Sequence, residues 1–351
     1  KFRASSAQVS GDTDPYQLDL SYSLDPMQYG SLPLQAIGTS NIPNKDLKPL
    51  LSTDYEIGLE MGFVHDRIGF DVDYYNKNIR NDIVTTAVSN TTGYASAVFN
   101  VGKLADNGIE ALLRATPVKV KNFSWDLTVT FSTLNNRVIS LGSGTKGANI
   151  ILVRSKSGNA SVQLEEGKRY GGIYGYTYKR DSLGRKIYNS QGLPEYNATQ
   201  TLIGNSLYNK MMGFSNTFNY KNFSLYVFLD GKFGGDIYSE TDATTYDNGK
   251  NKATLIGRED GLIADGVGED GKPNTVLIRG YNSPAGPGAS VNDYYKQIKQ
   301  ISEQFVYDAS FVKLREISLS YNFNLALLHR IGFTNASVSV VARNLLTVYK
   351  N

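Results

Sequence analysis

Two adjoining stretches decide the fold: Tyr55-Glu56-Ile57-Gly58-Leu59-Glu60-Met61-Gly62-Phe63 and Arg67-Ile68-Gly69-Phe70-Asp71-Val72-Asp73-Tyr74-Tyr75. In the first, Tyr55, Ile57, Leu59, Met61 and Phe63 share one side of an extended chain, opposite Glu56, Gly58, Glu60 and Gly62. In the second, Ile68, Phe70, Val72 and Tyr74 oppose Gly69, Asp71, Asp73 and Tyr75. A period of two over this length predicts strands with one apolar face each. Glu56, Glu60, Asp71 and Asp73 all fall on the other face. A slip of one residue would carry them to the apolar side, so the register is tightly specified.

The alternation recurs outward from this hairpin. Asn107–Ala115 sets Ile109, Ala111 and Leu113 against Gly108, Glu110, Leu112 and Arg114. Phe123–Phe131 sets Phe123, Trp125, Leu127, Val129 and Phe131 against Ser124, Asp126, Thr128 and Thr130. Further strands are predicted at Lys1–Val9, Met211–Tyr220, Phe223–Phe233, Tyr307–Phe323 and Ala336–Leu346, with almost no helical periodicity. In the Tyr307–Phe323 strand, Lys313 and Arg315 share a phase with Ile317, Leu319, Tyr321 and Phe323. Both cations are therefore expected beyond the bilayer, at the extracellular end.

The connections alternate in length. His65-Asp66, Pro117–Asn122, Lys221-Asn222 and Asn324–Asn335 are short, whereas 78–105, 134–210 and 234–306 are long. Loops beyond roughly 12–15 residues are uncommon in compact domains. Outer-membrane barrels sort their connections this way, with short periplasmic turns and long extracellular loops. The expected fold is therefore all-β, a segment of a large antiparallel transmembrane β-barrel. About nine or ten strands leave two open edges, which hydrocarbon does not tolerate, so more strands are expected elsewhere in a longer polypeptide. Lys1–Val9 already reads as a strand, which fits a start inside such a polypeptide.

Composition agrees. The 351 residues include 24 Tyr, 15 Phe and 1 Trp, a bias that suits pleated surfaces and membrane interfaces. Mean hydropathy is −0.31, and no apolar run is long enough for a transmembrane helix. The absence of cysteine removes disulfides, Cys-ligated zinc and thiol catalysis. A net charge of +3 without a Lys/Arg block gives no nucleic-acid footprint.

Several stretches resemble the SusC family (SusC/RagA) of TonB-dependent outer-membrane transporters. They are Leu47-Lys48-Pro49 with Tyr55–Glu60, Asp71–Tyr75 with Asp82-Ile83-Val84, Asn100-Val101-Gly102 and Asn107-Gly108-Ile109-Glu110. Phe123-Ser124-Trp125 and Asn135-Asn136-Arg137-Val138 follow in order. Gly175-Tyr176, Asp181–Gly184 and Gly192-Leu193-Pro194 resemble the family's large mid-barrel loop. The sharpest match is Asp308–Tyr321, followed by Ala342–Thr347. The resemblance implies the C-terminal part of a barrel of about 22 strands, with residues 1–351 all barrel. The signal peptide, TonB box, plug and closing strand are expected outside this chain. It also implies active import of an oligosaccharide or peptide, together with a SusD-type surface lipoprotein and the TonB complex. A passive porin or adhesin-type barrel shares the strand pattern, and a secreted carbohydrate-binding β-protein is a further reading.

Candidate sites are few. In the acidic loop Asp260–Gly271, a calcium loop counted from Asp265 would need an oxygen ligand third and glycine sixth. Those positions hold Val267 and Asp270, so a Gly/Asp turn accounts for Asp265 and Asp270 better. His65 and His329 each adjoin a predicted short turn and have no local partner for catalysis or metal binding. Glu165-Glu166 and the set Asp54, Glu56 and Glu60 are the carboxylate pairs to consider for glycosidase chemistry. Glu56 and Glu60 stand about 13 Å apart on one strand face, too far for either glycosidase geometry. No catalytic residue, metal or cofactor is expected. Tyr170, Tyr174, Tyr176 and Tyr178 around Gly171-Gly172 are the candidates for contact with substrate or lid, as exposed rings able to stack on a sugar, and plain interface packing is an equal alternative reading.

Overall fold

The computed structural model describes residues 1–13, 18–38, 41–142, 149–323, 334 and 336–350. Nine strands form the path of an 11-stranded sheet, each pairing antiparallel with the next on that path. They are β1 (Phe2–Gly11), β2 (Leu50–Phe63), β3 (Ile68–Ala87), β4 (Ser96–Val120), β5 (Phe123–Thr133), β6 (Lys210–Tyr220), β7 (Phe223–Phe233), β8 (Phe311–Asn322) and β9 (Ser337–Lys350). β1 and β9 lie at its two edges.

The predicted faces hold across the sheet. Met61, Phe70, Leu113, Val129, Phe214, Leu229, Leu314 and Leu346 line up in one row from β2 to β9. The adjacent row reads Glu60, Asp71, Leu112, Thr130, Gly213, Asp230, Lys313 and Thr347. The apolar face is open to its surroundings, with Ile57 55%, Phe214 41% and Leu319 48% exposed. A face of this extent needs a partner or a lipid solvent. Next to the short turns it ends in rings: Phe223 and Tyr321 stand 4.8 Å apart, and Tyr321 and Phe323 5.2 Å. Such girdles suit the boundary between hydrocarbon and water.

One polar residue interrupts the apolar rows. Asn216, between Leu127 and Val227, is 6% exposed. The indole Nε1 of Trp125 donates to its Oδ1 at 3.0 Å, and Trp125 stacks on Phe218 at 5.8 Å. The chain's single tryptophan thus satisfies the polar atom its neighbour brings to this face. We expect Trp125→Phe to cost about 1–3 kcal/mol by leaving that oxygen unpaired. Asn216→Val on the same background should recover most of the loss, read as urea midpoints of the protein refolded in micelles.

Among the bulges of the sheet, two bear on the predicted faces. β4 carries one extra residue between Ala115 and Val118, at Thr116-Pro117, where proline has no N–H for the ladder. The second lies in β8. Leu314 pairs with Leu229 and Glu316 with Phe228, so Arg315 is the extra residue. This corrects the expected phase of Lys313 and Arg315. The bulge advances the phase by one, Lys313 pairs with Asp230, and Arg315 reaches the same carboxylate with Nε 2.5 Å from Oδ1. Both cations sit on the polar face.

The partner strand answers with its own irregularity. Asn344 of β9 has φ +53° and accepts from Arg315 Nη1 at 3.0 Å, while Arg343 Nε donates to Glu316 Oε2 at 2.8 Å. The two sharpest sequence matches, Asp308–Tyr321 and Ala342–Thr347, are the two sides of this interlock. Asparagine tolerates the left-handed region that β-branched residues resist. Asn344→Val should therefore cost about 2–3 kcal/mol by strain plus the lost bond, whereas Asn344→Gly should cost only the bond, as thermal midpoints in detergent would show.

The long connections are largely folded, which changes the expected 78–105 loop most. β3 and β4 stay paired up to Ala87 and Ser96, so only residues 88–95 connect them. Val84, Val101 and Leu104 of this hairpin are buried with Val138, Leu141, Ile150 and Leu164, which keeps it extended. The 134–210 connection contributes Asn135–Ser140, which pairs with Lys103–Asn107 of β4. It then forms a four-stranded sheet ordered Ile150–Arg154, Ala160–Leu164, Gly172–Gly175, Thr201–Asn205. The 234–306 connection holds α1 (Glu240–Asp247) and α2 (Val291–Lys299). Both helices are capped by serine: Ser239 accepts from Asp242 N and Ser290 from Asp293 N. Together these segments build one lobe at the end of the sheet opposite the short turns. Residues 324–333, with His329, lie outside the described residues. His65 sits in the tight turn where Val64, His65 and Asp66 all have positive φ.

Candidate functional site

The polar face of the sheet carries the charge. Beside the row that runs from Glu60 to Thr347 lies another: Arg3, Gly58, Asp73, Glu110, Ser132, Met211 and Lys232. At one side the Nη2 of Arg3 lies 2.5 Å from Asp71 Oδ1 and 2.8 Å from Asp73 Oδ2, with its Nη1 3.6 Å from Glu60 Oε2. Gly58 makes room for this contact, because a Cβ there would overlap Asp73 Oδ1. At the other side Arg315 holds Asp230 with two bonds, Nε at 2.5 Å and Nη2 at 3.1 Å. Between the two guanidinium clusters lies a groove of about 490 Å³, floored by Leu112, Thr130, Met211, Gly213 and Phe228.

The glycine and asparagine signatures fix where the sheet meets the lobe. Asn100 Nδ2 donates to the carbonyls of Lys48 at 2.7 Å and Asn81 at 2.9 Å, and its Oδ1 accepts from Lys48 N at 2.8 Å. That one side chain ties the segment before β2 to the lobe end of β4. Gly102 lets Ser140 and Gly142 approach, since a Cβ would stand 2.7 Å from Gly142 N. At Gly108 the ring of Tyr75 crosses β4, and its hydroxyl donates to Thr133 O at 3.0 Å. Here β4 exchanges β5 for Asn135–Ser140 as partner, and the chain leaves the sheet to build the lobe.

Known proteins share this arrangement. Residues 12–345 match the family model described as TonB dependent receptor-like, beta-barrel. The chain belongs to the TonB-dependent receptor β-barrel family. Among curated relatives, TonB-dependent receptor P3 of Formosa agariphila is 24% identical over 377 residues, covering 99% of this chain and 34% of that protein. TonB-dependent receptor SusC of Bacteroides thetaiotaomicron is 25% identical over 290 residues, covering 80% of this chain and 27% of that protein. Among solved structures, the RagAB peptide transporter superposes with a TM-score of 0.73 at 18% identity, covering 100% of this chain and 37% of that one. The chain thus spans roughly a third of the length of these relatives. Like other members of the family, it is an outer-membrane protein, which sets aside the reading as a secreted soluble protein. In a barrel wall of this family the apolar face meets lipid and the polar face the lumen.

Within the lobe two of the four candidate tyrosines are not the exposed rings expected. Tyr174 and Tyr178 are 4% and 5% exposed, and Tyr170 packs against the buried cluster of Val101, Val138 and Leu164. Tyr176 is half-buried, edge-on to Tyr196 at 5.5 Å. Tyr174 and Tyr178 are core and offer no open face for stacking, whereas Tyr170 and Tyr176 stay partly exposed. Tyr174 donates to Glu165, and Tyr178 donates to Gln304 Oε1 at 2.8 Å. Burial pushes both phenols above their ordinary range, so they remain protonated donors. The sequence reading missed that the second and third long connections meet in a common cluster, where Tyr188 is buried with Ala264 and Ile278. Glu240 of α1 accepts from Lys156 N and Ser157 N, each at 2.7 Å, Ser302 Oγ donates to Asn159 O at 2.5 Å, and Glu303 accepts from Tyr178 N at 2.9 Å. α2 was signalled by Val291, Tyr294, Tyr295 and Ile298 at helical spacing behind Ser290.

A core role makes a different prediction from a contact role. Tyr178→Ala should loosen the lobe by about 3–5 kcal/mol, as for other large-to-small core changes. Limited proteolysis would then cut within 149–210 while leaving the barrel band intact. An unchanged digest accompanied by weaker ligand binding would restore the contact reading. Asp270 accepts from Lys272 N at 3.0 Å and pairs with its Nζ at 3.5 Å. Among the described residues, Asp265 and Asp270 do not join a third acidic, histidine or cysteine group able to hold a metal. Glu195 is held low by Lys179, whose Nζ lies 2.6 Å away, and a hydrogen bond to Glu195 pushes Glu269 up.

Proposed function

We propose that this chain forms part of the wall and the extracellular lobe of an active importer. It would take up a bulky oligosaccharide or peptide across the outer membrane, together with a SusD-type surface lipoprotein, and be driven through TonB. The observation that carries this reading is the asymmetry of the molecule. Among the described residues, a barrel wall with a charged inner face bears at one end a lobe of two connections that pack together. An open pore needs no such lobe, whereas a protein that captures a large solute at the cell surface gains an ordered contact area from it. No step requires bond-making chemistry, so no catalytic residue is assigned.

The test uses the full-length protein in its own cells. A strain lacking the gene should lose growth on one class of large nutrient, and a protonophore should abolish the same uptake in the parent. Uptake that persists with the protonophore would identify a passive pore. Purification from detergent-solubilised membranes should recover a surface lipoprotein in equal amount, and recovery of the barrel alone would remove that partner from the proposal.

A further inference from the structure

We propose that Arg80, Lys103 and Arg137 hold the phosphate of an outer-leaflet lipid headgroup against the outside of the barrel wall. This rests on the reading that the lobe stands at the cell surface. The lobe itself decides which way this part of the sheet faces. Ile79 of β3 pairs with Leu104 of β4, and Leu104 with Val138. All three pack in the lobe cluster with Leu164. Successive side chains of a strand point to opposite faces. Arg80, Lys103 and Arg137 therefore lie on the face turned away from the lobe, and all three are exposed. At this height β3 and β4 are flanked by β2 and by Asn135–Ser140. Strands that complete the barrel add at the edges β1 and β9, so this face remains outward.

Along the strands the face grades from apolar to charged. On β3 it reads Tyr74, Asn76, Asn78 and Arg80, and opposite them on β4 stand Ile109, Asn107, Ala105 and Lys103. Asn78 donates to Asn76 at 2.7 Å, and Asn135 to Asn107 at 3.0 Å. Arg137 pairs with Ala105. Ala105 and Lys103 stand four and six residues beyond Ile109. Those steps are about 13 and 20 Å along the strand, or about 10 and 15 Å of height at a tilt near 40°. The cations thus stand past the hydrocarbon, at the level of headgroups, and long basic side chains lean back toward the interface.

The pairing identifies the occupant. Arg80 and Lys103 are direct cross-strand partners, and like charges so placed repel and destabilise a sheet. An anion seated between them turns that repulsion into attraction. Arg137, on the next strand, adds a planar fork suited to phosphate. A free anion would use only this charge. A lipid also lays its chains over Tyr74 and Ile109, each 45% exposed, and over the apolar rows beyond them.

The probe is monophosphoryl lipid A, offered to the full-length receptor in detergent after native lipid has been stripped. Calorimetry compares it with the same lipid after dephosphorylation and with inorganic phosphate. The phosphorylated lipid should bind at least tenfold more tightly than either. Arg80→Gln, Lys103→Gln and Arg137→Gln should each weaken it roughly fivefold. Lys272→Gln, an exposed lobe position, should leave it unchanged. Without lipid the sign reverses, and Lys103→Gln should raise the urea midpoint by relieving repulsion from Arg80. Equal binding of the two lipids, wild-type affinity in all three variants, or a lowered midpoint for lipid-free Lys103→Gln would overturn the site. Inorganic phosphate binding as tightly as the lipid would overturn the lipid as occupant. The orientation fails separately. Leu183→Cys, at a lobe position 77% exposed, should react with a membrane-impermeant maleimide in intact cells. Labelling only after lysis would remove the lobe from the cell surface, and with it the outer leaflet as the source of the lipid.

Discussion

Gly108→Ala is expected to destabilise the barrel by about 2–4 kcal/mol, combining overpacking with a lost hydrogen bond. An added Cβ would overlap the carbonyl oxygen of Thr133 and stand 2.6 Å from the Tyr75 hydroxyl and 2.8 Å from its Cζ. The first of these is backbone and cannot step aside. Tyr75 would have to swing away, giving up its 3.0 Å bond to Thr133 at the point where β4 changes partners. Gly69→Ala is the control, because nothing lies within 4 Å of a Cβ there. It should be neutral or slightly stabilising, since glycine weakens a strand. The readout is the urea midpoint of the heat-modifiable, folded band in detergent. Equal midpoints for the two variants would mean that the crossing of Tyr75 over β4 does not require glycine at 108.

The second large effect comes from neighbouring residues on opposite faces of β5. Val129→Lys should lower stability in a bilayer by about 2–4 kcal/mol, because it places a cation on the lipid face near mid-depth. Val129 stands six residues from Phe123 at the short-turn end of β5. That is about 20 Å along the strand, or about 15 Å of depth at a tilt near 40°. Thr130→Lys adds the same charge one residue on, beside Asp230 and Gly213, and should change stability by less than about 1 kcal/mol. Refolding into lipid vesicles, followed as the folded fraction against urea, compares the two. The opposite order would mean that the apolar rows do not face lipid.

Much of the barrel was legible in the sequence because a strand with lipid on one side and charge on the other has little freedom. The Tyr55–Tyr75 hairpin needed only its alternation, and the other strands of the sheet followed it. The exceptions share a cause. Arg315 broke the phase of its strand because a bulge inserts one residue, and only the pairing of Leu314 with Leu229 and of Glu316 with Phe228 reveals that. Residues 78–105 read as loop because their alternation is irregular. Asn81, with φ +54°, interrupts the ladder between the Arg80–Lys103 and Asp82–Val101 pairs without shifting the register.

The lobe was barely legible, and the four tyrosines show why. In sequence, a Tyr/Gly stretch in a long connection reads as an exposed platform. Tyr178 is buried instead because Glu303 and Gln304, 125 and 126 residues later, hold its backbone and its hydroxyl. Contacts that far apart leave no periodic mark in either segment. By itself, then, the sequence determined the strands, the two faces of the sheet and the order of the connections, because each follows from neighbours two residues apart. Only the tertiary structure decided which charges on the inner face are paired and which glycines yield space to a crossing ring. It alone showed that two remote connections meet in a common cluster, since those outcomes depend on which strands and loops come to lie side by side.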